Sequence, residues 1–562
     1  MKKKTFLILI FIMILLAIFT VINFISNKDE QIDIFIGDLE KEYKPIYIKS
    51  TESSWKASIT GKKEDFDEML KAQNDVTNFF ANKEYFERLK KFKESGNVKD
   101  SLLNRQLTVL YNYFLGAQVD TAKLTAINQL ANEIEQKYNN FRAEINGKQL
   151  TDNQIEDLLS SSKDSRELET AWLGHKKIGS LVAEDVKKIV RMRNEVAKEI
   201  GFNNYHEMSL KLSEQDPEQI LKLFDELDNL TKDAFVKEKN IIDEYFSKRY
   251  NVPKDKLMPW HYQNRFFQEA PKIYEIDLDV YYKDKDLVKL TDDFYKGISL
   301  PVDDIIKNSD LFEKPGKNQH AYCTDINKNG DVRVLCNVKP NEKWMNTMLH
   351  EYGHGIYSKY TNRELPFFLR DAAHTFTTEA IAQIFGRFSS NAYWMKDMNL
   401  IKQEDVAKIS EIAFSSLRLQ QLVFSRWSQV MYRFEKAMYE NPEQDLNKLW
   451  WDLVEKYQLL KKPEGRNEPD WASKIHIALY PCYYHNYHLG ELLASQLYFY
   501  ICDNILKTKD YKTQSFVGKP EIGTYLKEKI FMPGAEFYWD DMIQKATGEK
   551  LTAKYYAKQF VE

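Results

Sequence analysis

Apolar residues recur at helical spacing along most of this chain, and that periodicity restricts the fold more than any other feature. Leu103, Leu107, Leu110, Tyr111 and Phe114 form one stripe, and Ile220, Leu223, Phe224, Leu227 and Leu230 form a second. Positions three and four apart share a helix face, so each stripe predicts a helix packed on a core. Asp216-Pro217 marks the start of the second helix, an N-cap followed by proline in the first turn. Breakers are scarce: 20 glycines and 15 prolines in 562 residues, roughly half the usual share. The expected fold class is all-α, with few short strands. No repeat of fixed period and no low-complexity segment interrupts it. The 80 basic and 84 acidic residues nearly cancel, to a net charge of −4, which leaves no nucleic-acid footprint.

The N-terminus reads differently. Lys2, Lys3 and Lys4 precede an almost unbroken apolar run from Phe6 to Ile25. A helix of ~20 apolar residues spans the hydrocarbon core of a bilayer, and a basic flank stays on the cytoplasmic side. The expected organisation is a cytoplasmic tail at 1–4, a transmembrane signal-anchor at 5–26, a tether or first helix at 27–60 and one large helical domain at 61–562. A cleaved signal peptide is the alternative, although Phe24-Ile25-Ser26-Asn27 is a poor cleavage site.

One stretch departs from the helical rhythm. His320–Thr324 and Asp331–Val338 flank Asn327-Lys328-Asn329-Gly330, a hairpin signal. Cys323 and Cys336 stand on opposite arms, compatible with a disulfide in an oxidising compartment. Cys482 and Cys502 read as buried thiols.

The chemistry concentrates in His350-Glu351-Tyr352-Gly353-His354. Histidines at i and i+4 lie one turn apart on a helix face and suit one Zn²⁺, with the intervening Glu351 placed as general base. A catalytic zinc needs a third protein ligand. Glu379, in Thr377-Thr378-Glu379-Ala380-Ile381-Ala382 where a new helix begins, is the leading candidate, with Asp371 and His374 as rivals. Seven of the ten histidines lie at or after His320. Ser473–Leu479 reads as a short strand, in which Lys474 and His476 share one face.

From His350 onward the sequence resembles the angiotensin-converting-enzyme family of zinc dipeptidyl carboxypeptidases, and more distantly the thimet oligopeptidase and oligoendopeptidase group. The carrying residues are Leu365-Pro366, Leu369-Arg370 and Glu379-Ala380-Ile381, with His320-Ala321 and Lys474-Ile475-His476 matching further family segments, as do Trp260 and Gln263. The resemblance spans roughly residues 255–500. It implies a two-lobed helical gluzincin body around a deep channel. It also implies one zinc on His350, His354 and Glu379, with Glu351, His476 and Tyr487 catalytic. His320, Ala321, Gln263, Lys474 and Tyr484 would bind an oligopeptide substrate. Of Tyr480, Tyr483, Tyr484 and Tyr487, both family spacings select Tyr487. The displaced first hairpin cysteine weakens the disulfide inference. Two departures stand out. Gln383 replaces an aspartate one turn after the third ligand, where an amide is expected to orient a histidine more weakly. Asn486 replaces a chloride-holding arginine, so no chloride activation is expected through that site.

The implied activity is release of C-terminal dipeptides from oligopeptides by a membrane-anchored, extracytoplasmic enzyme. An endopeptidase of the thimet type uses the same zinc site without needing a free C-terminus. A membrane-tethered peptide-binding protein with a vestigial catalytic body is the third reading, and the intact Glu351 argues against it.

Overall fold

A computed structural model describes residues 2–96, 98–274 and 276–561, with side chains described from residue 28 onward. Helices dominate, and the described strands form two antiparallel hairpins, Ala143–Ile145 with Lys148–Leu150 and Tyr322–Asp325 with Val332–Leu335. The all-α expectation holds. The predicted stripes lie on helices Ser101–Gly116 and Pro217–Tyr250. Leu103, Leu107, Leu110 and Phe114 are buried, as are Ile220, Leu223, Phe224 and Leu227, while Leu230 faces outward. Asp216 caps its helix as expected, accepting from the Gln219 amide, and the helix ends where Asn251 turns left-handed.

Two apolar bodies organise the chain. The larger core runs from Val119 to Phe560 and takes in the His350 helix, Glu342–Tyr360. A smaller one joins the N-terminal helices Lys2–Thr60, Lys63–Phe80, Lys83–Glu94 and Ser101–Gly116 to Phe367 and Phe368, just ahead of the Glu379 helix. Tyr43 stacks on Phe368 at 5.5 Å. Between the N-terminal helices and the start of the Glu379 helix lies a cavity of about 610 Å³, reached by Tyr47, Tyr113, Thr378 and Tyr483. The expected first helix at 27–60 is part of Lys2–Thr60. The side chains of the expected membrane anchor at 5–26 lie outside the described residues, and no described helix is long and apolar enough to cross a membrane.

One local expectation is corrected, and one open question is answered. Ser473–Leu479 is not a strand: a 3₁₀ turn, Asp470–Ser473, leads into a short helix, Ile475–Leu479, with Lys474 between them. A strand here would need a partner for its backbone groups; instead the Lys474 amide bonds Trp471 O, Ile477 bonds Lys474 O and Tyr480 bonds His476 O. The hairpin at 322–335 forms as expected, but its cysteines are free. Cys323 faces Val334, so Cys336 is a diagonal neighbour, ~7–8 Å away in such ladders and beyond disulfide reach. Cys482 and Cys502 are buried free thiols, as expected.

Candidate metal centre and cleft

Helix Glu342–Tyr360 starts at Asn341, whose side chain caps the Trp344 amide, and carries His350, Glu351 and His354. Helix Thr375–Gly386 starts at His374 and carries Glu379. The two pack along their length, and Gly353 makes that possible. A Cβ there would sit 2.8 Å from the Ala382 Cα, closer than two carbon atoms approach. On the other side, helix His485–Tyr500 brings Gly490 against Glu379, where a Cβ would lie 3.2 Å from the Glu379 Cγ. Two glycines thus clear the space in which the Glu379 side chain reaches the histidine pair.

That reach is met. His350 Nε2 lies 3.7 Å from one Glu379 oxygen and His354 Nε2 3.5 Å from the other. One ligand atom from each of the three residues falls within 4.8 Å of the others. A tetrahedral zinc with bonds of ~2.0–2.1 Å separates its ligand atoms by ~3.3–3.5 Å, so the donor set and its spacing fit that ion. His354 Nδ1 pairs with Thr378 Oγ1 at 2.8 Å, leaving Nε2 on the side of Glu379. Such a partner fixes ring orientation and tautomer. Glu351 is 8% exposed, and burial pushes its carboxyl up to about 7. The rivals are otherwise engaged. Asp371 pairs with Lys328, and His374 Nδ1 accepts the Phe376 amide as helix cap.

The other expected residues divide. Tyr483 lines the larger cavity together with Thr378, and the rings of Tyr483 and Tyr487 are 5.3 Å apart. His476 packs between Tyr480 at 5.5 Å and Tyr484 at 5.3 Å. Among the described residues its Nδ1 has no partner, and burial holds its pKa down at about 4, so the ring is neutral. Tyr484 is buried, its hydroxyl accepting from Trp427 Nε1 at 2.9 Å. His320 is exposed, and Ala321 is half-buried at the base of the hairpin strand that packs on the His350 helix.

Lys474 occupies an aromatic enclosure. Its ammonium lies 5.2, 5.4 and 5.5 Å from the ring centres of Phe266, Trp427 and Tyr484. Burial, with Arg265 nearby, depresses its pKa to about 7. Its hydrogen-bond partner is Gln268. Gln263, expected to bind substrate together with Lys474, donates to Ser160 O at 3.0 Å and accepts from the Lys272 amide at 3.1 Å. Gln383 does not reach a histidine either; its amide donates to the Tyr487 carbonyl at 3.4 Å. Asn486 accepts from Gln215, which also holds His485. His488 is fully buried among Phe224, Phe424 and Tyr556.

Sequence reasoning missed Thr378, Gln268, Gly353 and Gly490. Thr378 was within reach of helical spacing, one residue before Glu379. The other three declare themselves only through contacts between distant segments.

Residues 26–560 match the family profile described as angiotensin-converting enzyme, of the M2 peptidases. Among curated proteins, the angiotensin-converting enzyme of Theromyzon tessulatum is 23% identical over 94% of this chain and 91% of its own length. That of Mesocricetus auratus is 23% identical over 94% of this chain but 42% of its own length. The angiotensin-converting enzyme-like protein Ace3 of Mus musculus is 22% identical over 93% of this chain and 74% of its own length.

Proposed function

Because the chain belongs to the angiotensin-converting enzyme family of metallopeptidases, we propose that it is a zinc peptidyl-dipeptidase that removes dipeptides from the C-termini of oligopeptides. The single observation carrying this reading is the convergence of His350, His354 and Glu379 with the buried Glu351 on the same helix turn. Zinc held by those three residues would supply Lewis-acid polarisation of the scissile carbonyl and a water of near-neutral pKa. Glu351 takes the proton from the attacking water and passes it to the leaving amine. Tyr487 and neutral His476 donate hydrogen bonds to the oxygen on which negative charge develops. His320 and the Ala321 backbone hold the substrate chain. Lys474, Tyr484 and Gln268, which takes the place expected of Gln263, receive the substrate's terminal carboxylate. A clamp of this kind sets the cut at a constant distance from the C-terminus. The aromatic 610 Å³ cavity beside Thr378 and Tyr483 would take the remainder of the peptide.

We also place the catalytic body outside the membrane, tethered through 5–26; the support is the apolar run behind three lysines. Retention of the full chain in carbonate-washed membranes, with protease access from outside, is expected.

Mass spectrometry of products from a mixed peptide pool, with purified zinc-loaded protein, tests the activity. Stepwise loss of two residues from the C-terminus is expected, and C-terminal amides are expected to resist. Internal cuts in amidated peptides would replace this reading with an endopeptidase.

A further inference from the structure

A second cavity, of about 350 Å³, shares no residue with the metal centre or the larger cavity. Its size falls in the range of small-molecule sites, roughly 300–1,000 Å³. It opens where the Glu379 helix ends: Ile384 and Arg387 form one wall, and the long helix Val406–Glu440 supplies Ala413 and Phe414 opposite. Phe388 and Tyr498 add aromatic surface.

Its charge is one-sided. Arg387, Lys512 and Lys558 line it, and among the described residues no carboxylate does. Lys558 lies 4.4 Å from the ring centres of both Phe499 and Tyr511, and Lys512 lies 5.7 Å from that of Phe414. Asp503, the acid that senses Lys558, is already held by Lys509 at 2.8 Å and Tyr511 Oη at 2.7 Å. Arg387 pairs with Glu491 through Nη2, yet among the described residues its Nε has no partner, and neither has Gln559 Oε1. Buried polar atoms are rarely left unpaired without a reason. Aromatic walls, cations at the side and an unspent donor suit an anion with an apolar body. They oppose a zwitterionic peptide, whose ammonium group would meet the positive charges of Lys512 and Lys558.

We propose that this cavity is a binding site for an amphipathic carboxylate, such as a medium-chain fatty acid. The chain packs among Phe388, Phe414 and Tyr498, and the head group lies at Lys512, Lys558 and Arg387. The site stands apart from the peptidase reading and does not depend on it.

Calorimetric titration of the full zinc-loaded chain with decanoate, decanol and the dipeptide Phe-Phe tests the proposal. Saturable binding of one decanoate per chain is expected, with decanol and Phe-Phe at least tenfold weaker. The double variant Lys512→Gln, Lys558→Gln, altered only at the cavity rim, is expected to bind decanoate at least tenfold more weakly with peptide hydrolysis unchanged. Ala413→Trp, which fills the cavity, is expected to abolish binding. No saturable binding at millimolar decanoate would overturn the proposal. So would equal affinity for decanol or Phe-Phe, an unaltered affinity in the double lysine variant, or displacement of decanoate by a peptide substrate.

Discussion

Around His350, His354 and Glu379 two regular helices cross so closely that Gly353 has no room for a methyl group. Around Lys474 and His476 the chain passes instead through a 3₁₀ turn and a helix of five residues. In the first region the placement of His350 and His354 follows from helix periodicity, because residues one turn apart must share a face, and the close crossing of the helices brings Glu379 to them. In the second, positions follow from contacts with remote segments: Phe266 and Gln268 come from one, Trp427 from another. The histidine pair is therefore locally encoded, whereas the surroundings of Lys474 are assembled from distant segments.

The comparison breaks most sharply at Glu351. Glu351→Ala is expected to lower kcat by ~10²–10⁴ while bound zinc stays at one per chain. Glu379→Ala is expected to lose the metal itself, as read by atomic absorption after dialysis. A Glu351→Ala protein that hydrolyses peptides normally would refute the mechanism.

Thr378→Val removes the partner of His354 Nδ1 and keeps the shape. Zinc affinity is expected to fall ~10–100-fold in a competition titration with a chelator. An unchanged affinity would mean that helix packing alone orients the ring.

On the assembled side, Gln268→Ala is expected to raise KM for peptides with a free C-terminus by about tenfold, the scale of a lost charge-assisted hydrogen bond. Gln263→Ala should instead lower thermal stability with KM preserved, since its amide ties Ser160 to Lys272. The same pocket predicts a pH effect. Lys474 is charged below about pH 7 and neutral above it. The KM of a free-carboxylate peptide, divided by that of its amide, should therefore rise as pH climbs through 7. A flat ratio would remove Lys474 from carboxylate binding.

The smallest expected effect is none: peptidase rates with and without chloride should agree. Asn486 is neutral and already accepts a hydrogen bond from Gln215. A large stimulation by chloride would show that another group holds the anion.

The contrast also explains what could be read early. The helical class, the Asp216 N-cap, the 322–335 hairpin and the start of the Glu379 helix were legible, since each rests on local spacing or turn chemistry. Glu379 was chosen over Asp371 and His374 by resemblance; the structure adds that those two are occupied by Lys328 and by a helix cap. Ser473–Leu479 misled because alternation of side chains cannot report whether a neighbouring strand exists to pair with. The pairing of Cys323 with Cys336 stayed open in the sequence because the hairpin register, Cys323 opposite Val334, is set by the turn and not by where the thiols stand.

By itself the sequence determined the helical class and the ligand types, since periodicity and residue chemistry are local properties of the chain. Only the tertiary structure decided that Glu379 lies between two histidines, that Gln268 meets Lys474, and that a cationic apolar cavity opens at Arg387. Each of these depends on how closely distant helices approach, and the room for that approach is set by packing across the fold.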